Sequence, residues 1–200
     1  MSGRPAGLIL KYAHIYDNGR GDNMPDLRQK VEEDRGILKK IQMAIPGYRG
    51  YRQREDIRAA DDILRIQLSE RLGRARLEVE KCRKSLVDAM LTGELDRMGQ
   101  LINKFKAVEG GVRHAEGGYT GFSAQIRIEQ QELDQLYEYD YNMINYLLNI
   151  EQGILPLRGA VEAENAGAIK TEIGNLRTRL DDFETTWKAR IKRITGTEVM

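Results

Sequence analysis

The stretch Ile45-Pro46-Gly47-Tyr48-Arg49-Gly50-Tyr51-Arg52, continued by Arg54 and Arg58, interleaves guanidinium groups with aromatic rings. Charge and stacking together could hold a phosphate, a single-stranded nucleic acid or an anionic lipid headgroup. Tyr48, Arg49, Tyr51, Arg52, Arg54 and Arg58 are therefore one candidate site for an anion or a partner. The same residues also suit a tight interhelical turn, which is the favoured reading. Pro46 would end one helix, Gly47 and Gly50 would allow the bend, the tyrosines would cover a bundle end, and Glu55 and Asp56 would offset the arginines.

A second constellation gathers Glu129, Glu132, Asp134, Glu138 and Asp140 around Tyr137, Tyr139, Tyr141 and Tyr146. Carboxylates among tyrosines could form an oxygen-only metal site or a docking face for a basic partner. Glu129, Glu132, Asp134, Tyr137, Glu138, Tyr139 and Asp140 form that candidate docking face. A di-iron bundle centre needs Glu three residues before His, and neither His14 nor His114 has one. The Asp-x-Asp-x-Asp-Gly calcium loop is also missing. A solvated helix face with partly buried tyrosines is favoured over either chemistry.

The remaining reactive residues are few. His114 falls among glycines, where an exposed loop histidine is favoured over a mobile base. Cys82 lies on an apolar helix face, as a small core residue would. One cysteine excludes a disulfide or a thiolate metal site within a single chain. The sequence has no phosphate loop, no Gly-x-Gly-x-x-Gly and no Gly-x-Ser-x-Gly elbow. With no nucleophile, base and orienter to nominate, the expectation is a non-enzyme with no catalytic residue, no cofactor, no metal and no small-molecule substrate.

These residues sit in elements that the apolar spacing defines. Residues 1–25, with Gly3, Gly7, Gly19, Gly21, Pro5 and Pro25 around Leu8-Ile9-Leu10, predict a flexible or extended arm. Helix begins near Met24-Pro25-Asp26 and stops at Pro46-Gly47. From Arg54 to about Met90, Ile57, Ala60, Leu64, Leu68, Leu72, Ala75, Val79, Cys82 and Leu86 take eight steps over 29 residues, which is the helical period. At about 1.5 Å per residue such a helix is roughly 50 Å long and needs partners along its whole length. A shorter helix spans Leu95 to Val108, and a glycine-rich connector occupies 109–121. Helix resumes from Phe122 to Gln152, with Ile126, Leu133, Leu136, Tyr137, Tyr141, Ile144, Leu147 and Leu148 on its apolar side, and Gly153 to Pro156 turns the chain. In the last helix, about Ala160 to Ile194, the residues Ile169, Ile173, Leu176, Leu180, Phe183, Trp187, Ile191 and Ile194 step by 4, 3, 4, 3, 4, 4 and 3. That is a coiled-coil seam with one residue slipped in near its end. Glu162 and Glu164 at its start and Lys188, Arg190, Lys192 and Arg193 at its end suit the helix dipole. Residues 26–200 thus predict one all-α domain, an antiparallel helical bundle of four or five helices with two long, coiled-coil-like helices.

The phrase Ile45-Pro46-Gly47-Tyr48-Arg49-Gly50-Tyr51, with Arg54-Glu55 and Ala60-Asp61, resembles a segment of small uncharacterised prokaryotic helical proteins. The resemblance covers at best a quarter of the chain. It implies a helical fold and a bacterial or archaeal origin, and it carries over no functional residue.

Charge separates the remaining function classes. Over 200 residues, 32 basic side chains oppose 31 acidic ones, a balance that argues against a generic polyanion binder. The halves differ, however: Arg35 to Lys84 holds 14 basic and 7 acidic residues, and Thr120 to Glu184 holds 5 and 12. Either the basic helix packs beside the acidic one within a chain, which is favoured, or the two meet between copies in a head-to-tail assembly. No run nears the ~20 apolar residues of a membrane span, so the expected place is the cytoplasm, with the inner face of the membrane as a variant. The leading expectation is a non-catalytic scaffold or interaction module, binding a protein partner or itself as a homo-oligomer. The alternative is a peripheral membrane-surface protein or, less favoured, a nucleic-acid binder using the turn at 48–58.

Overall fold

A computed structural model describes the backbone over residues 27–48, 54–115 and 130–195, and the side chains over 36–48, 59–115 and 135–192. The chain divides into two compact units, Met1–Glu32 and Glu33–Met200. Of the first, the described part is the opening of a helix, and the arm expected over 1–25 lies outside the described residues. The second unit carries the bundle.

Among the described residues five helices follow in chain order: α1 (Leu27–Ala44), α2 (Arg54–Asp88), α3 (Leu95–Arg113), α4 (Gln130–Glu162) and α5 (Ala166–Thr195). A 3-10 turn, Thr92–Glu94, sits between α2 and α3. Among the described residues there is no strand, and no helix is long and apolar enough to cross a membrane.

The ends of these helices have local causes. α1 stops at Pro46-Gly47, as its sequence predicts. Gly47 takes φ +85°, which costs a glycine little, and the Gln67 side-chain amide donates to the Pro46 carbonyl at 2.9 Å. α2 and α4 close with one shared pattern. Leu91 N–H donates to the Leu86 carbonyl and Met90 N–H to Val87; likewise Asn165 N–H donates to Ala160 and Glu164 N–H to Val161, all at 2.9 to 3.0 Å. This closure needs one left-handed residue, usually glycine. Here Met90 (φ 57°) and Glu164 (φ 52°) fill the role. Asn165 then caps α5, its Oδ1 accepting the Ala168 amide at 3.0 Å.

Two expected breaks are not breaks. α4 runs straight through Gly153 and Pro156, so the turn falls at 163–165 and the last helix starts at Ala166 rather than Ala160. A proline inside a helix costs about 3 kcal/mol. Burying Ile154, Leu157 and Val161 on the inner face, at about 1.5 to 3 kcal/mol each, outweighs that cost. Gly153 serves packing instead: a Cβ there would lie 2.9 Å from Leu176 Cδ2 and 2.5 Å from the Arg179 guanidinium on α5. α3 likewise continues beyond Val108 through Gly110 and Gly111, because Val112 extends the buried stripe Leu101, Phe105 and Val108. The connector expected over 109–121 therefore begins after Arg113. Among the described residues, α2, α4 and α5 have 35, 33 and 30 residues.

α2 and α3 form one antiparallel hairpin, α4 and α5 another, and α2 also packs on α4 and α3 on α5. Those cross-hairpin neighbours are parallel, a refinement of the antiparallel expectation. Early in α2 and α4, Asp61 and Asp140 share Arg190, and further along both helices Arg71 meets Glu151. In the α3/α5 pair Lys104 likewise meets Asp181 and Glu184. Arg71 binds Glu151 through Nε and a terminal nitrogen at 2.8 and 2.6 Å, so the basic and acidic halves meet within the chain.

Candidate functional site

Apolar seams explain which charges end up inside. On α4 the inward positions are Leu136, Asp140, Met143, Leu147, Ile150, Ile154, Leu157 and Val161, stepping 4 and 3 in alternation. On α5 they are Ile169, Ile173, Leu176, Leu180, Phe183, Trp187 and Arg190, again alternating 4 and 3. The residue apparently slipped into the α5 seam disappears once Arg190, rather than Ile191, is taken as its next member. On α2 the buried Asp61 stands three residues before Leu64 and seven before Leu68. Three ionic side chains thus occupy core positions at one level of the bundle.

Their geometry forms a closed polar layer. Arg190, fully buried, donates from Nε to Asp140 Oδ1 and from a terminal nitrogen to Asp61 Oδ1, both at 2.6 Å. The Tyr48 hydroxyl donates to Asp140 Oδ2 at 2.7 Å. Arg65 Nε donates to Asp61 Oδ2 at 2.8 Å, and its terminal nitrogens reach Asp62 and, at 2.9 Å, the Ala115 carbonyl. The Arg190 guanidinium also lies 5.5 Å from the Trp187 ring centre. Among the described residues, Arg65 and Arg190 bond the buried carboxylates Asp61 and Asp140, and both oxygens of each carboxylate accept a bond. Buried charges persist on such terms, and removing one partner costs about 3 to 5 kcal/mol. The layer joins the segment after α1 to α2, the end of α3, α4 and α5.

This layer takes residues from both candidate sites. Tyr48, a candidate anion or partner contact and, on the favoured turn reading, a cover for the bundle end, is buried and engaged by Asp140. Arg49, Tyr51 and Arg52 lie outside the described residues, and Arg54 and Arg58 are on the first turns of α2 with side chains outside the description. On the acidic helix, Tyr137 and Asp140 face the core, so they are not part of a docking face. Their registers, Tyr137 two turns before Ile144 and Asp140 one turn before Met143, turn them inward whatever their polarity. Glu138 is exposed and Tyr139 half-buried; Glu129 lies outside the described residues, as do the side chains of Glu132 and Asp134. His114 is exposed in the turn closing α3. Cys82 is buried as expected, and desolvation pushes its thiol above the usual range.

Ion pairs within and between the hairpins shift other groups. The hydrogen bond from Lys104, then that from Lys188, lowers the Glu184 carboxyl. Burial works against the Lys104 charge, but Asp181 at 2.6 Å and Glu184 hold its ammonium above the ordinary value. Arg76 is raised by its hydrogen bond to Glu109 at 3.0 Å.

The outward chemistry concentrates elsewhere. Among the described residues, the large apolar side chains that stand exposed are Met43 on α1, Ile66, Leu77, Val87 and Met90 on α2 and its closing turn, and Leu148 and Leu155 on α4; α3 and α5 have none. Between the parallel helices α2 and α4 runs an open groove of about 630 Å³, with Ala75 and Ile154 in its floor. Leu77 (48% exposed) and Leu155 (59%) flank it. Arg74, Lys81, Lys84 and Arg158 line it, with Glu78, Glu80 and Glu151. This face is not legible in the sequence because its cations and leucines come from helices far apart in the chain. Comparison with known protein families, curated proteins and solved structures finds no match.

Proposed function

We propose that the chain is a non-catalytic helical docking module whose recognition surface is the α2/α4 face. One observation carries this: exposed leucines, Leu77 and Leu155, flank a two-helix groove whose Arg74 and Lys84 pair with no carboxylate among the described residues. The buried ionic groups bind one another, whereas this face leaves apolar surface in water beside unsatisfied charge. Apolar anchors with a polar rim are what protein interfaces use. Self-association through the same face is disfavoured, since two copies would oppose like charges. The alternative of an anion site at the 48–58 turn loses Tyr48, whose ring is not free to stack.

The test is capture from the source organism on wild-type protein and on Leu155→Asp in parallel, with mass-spectrometric identification. A partner held by the wild type and lost from the variant supports the reading. Equal recovery on both, or none on either, refutes it.

A further inference from the structure

Resting on that reading, we infer that the occupant of the groove is an acidic amphipathic helix, with leucine-type anchors on one face and carboxylates beside them. Shape comes first. Two parallel helices packed side by side leave a straight furrow, and its α2 wall repeats at one-turn spacing through Arg74, Leu77, Lys81 and Lys84. From Arg74 to Lys84 the furrow is about 15 Å long at ~1.5 Å rise per residue. That accommodates roughly three turns of a third helix, whose side chains at i, i+3/i+4 and i+7 would meet Leu77 and Leu155.

Charge selects the chemistry. Several groove charges already pair inside the chain: Arg71 with Glu151, Lys81 with Glu78 at 2.5 Å, and Glu80 with Arg76 at 2.6 Å. Arg74 and Lys84 remain without a carboxylate among the described residues, and Arg158 meets Glu162 only at 3.5 Å with both side chains mostly in water. The unspent charge is positive and flanks the leucines, so the occupant brings carboxylates. A second copy of the chain does not fit: its acidic α5 surface, with Asp181, Asp182 and Glu184, exposes no large apolar anchor among the described residues. A nucleic-acid backbone offers Leu77 and Leu155 no apolar anchor, and a flat bilayer surface does not enter a furrow between two helices.

The probe is a displayed library of 18-residue helices with leucines fixed at i, i+4, i+7 and i+11 and flanking positions varied among Glu, Lys, Ser and Ala. It is selected on the folded chain. The expected result is enrichment of Glu over Lys at the flanks. Enriched helices, made as peptides, should bind at least tenfold more weakly to Leu155→Asp and to Leu77→Asp. Binding should fall at least fivefold on the Arg74→Glu/Lys84→Glu double variant, and it should weaken with salt. All four substitutions are at exposed or rim positions, and circular dichroism checks that each variant stays folded. Enrichment of Lys or of uncharged flanks, with binding still lost in Leu155→Asp, overturns the acidic assignment and leaves the docking face standing. Peptides indifferent to both leucine variants overturn the face itself, and recovery of no binder overturns the inference.

Discussion

Arg190 offers the sharpest test of the interior. Arg190→Met keeps a long apolar stem but removes the guanidinium that bonds Asp61 and Asp140 at 2.6 Å each. Asp61 retains Arg65, whereas fully buried Asp140 loses the short bond from Arg190 Nε. A buried carboxylate stripped of its cation costs about 3 to 5 kcal/mol. Against a total stability of about 5 to 15 kcal/mol, that is a large fraction. With a urea m-value of about 2 kcal/mol/M, the unfolding midpoint should drop by roughly 1.5 to 2.5 M. Adding Asp140→Asn to Arg190→Met removes the carboxylate that Arg190 Nε bonds, so the double variant should recover part of the loss rather than lose more. Chemical unfolding followed by circular dichroism, on both single variants and the double, gives the coupling directly. A loss under about 1 kcal/mol for Arg190→Met, or strictly additive costs in the double variant, would refute the account of an interlocked ionic layer.

Other consequences are open to the same measurements. Met90→Gly and Glu164→Gly should each raise stability by about 0.5 to 1 kcal/mol, because a left-handed non-glycine residue costs about 1 to 2 kcal/mol and glycine returns only part of that as entropy; unchanged unfolding midpoints would contradict this. Gly153→Ala should lose about 1 kcal/mol through its collision with Leu176, while Gly159→Ala, with nothing within 4 Å, should gain up to about 1 kcal/mol from helix propensity. The opposite order of the two melting temperatures would show that α4 and α5 do not approach closely at Gly153. The lowered Glu184 carboxyl binds fewer protons folded than unfolded, so its stabilising effect is present above the ordinary carboxylate range and fades as pH falls through its depressed value. Glu184→Gln should therefore narrow the stability difference between pH 7 and pH 3; an identical acid limb in variant and wild type would count against the Lys104–Glu184 pair.

Much of the helical body is legible in the spacing of aliphatic residues. Leu64, Leu68, Leu72, Val79 and Leu86 mark the inner face of α2, and Ile169 to Trp187 that of α5, because burial follows the 3.6-residue period. Pro46-Gly47 also ends α1 where predicted, since φ at Gly47 is a local matter. Local cues misled where packing was stronger: Gly153 and Pro156 look like a turn, and Gly110-Gly111 like a loop. At each place the buried side chains around the weak point outweigh it. Tyr48 and Asp140 fall in two separate clusters of the sequence, yet they share one interior hydrogen bond.

The amino-acid order alone determined that this chain is helical, where most of its greasy stripes lie, and that its two halves carry opposite charge. Tertiary structure decided which charges go inside and which faces stay bare. An aspartate or arginine in a core register is tolerable only if partners from other helices arrive together, and no single segment encodes that. The same holds for the groove, whose two walls are set side by side by the parallel packing of α2 and α4.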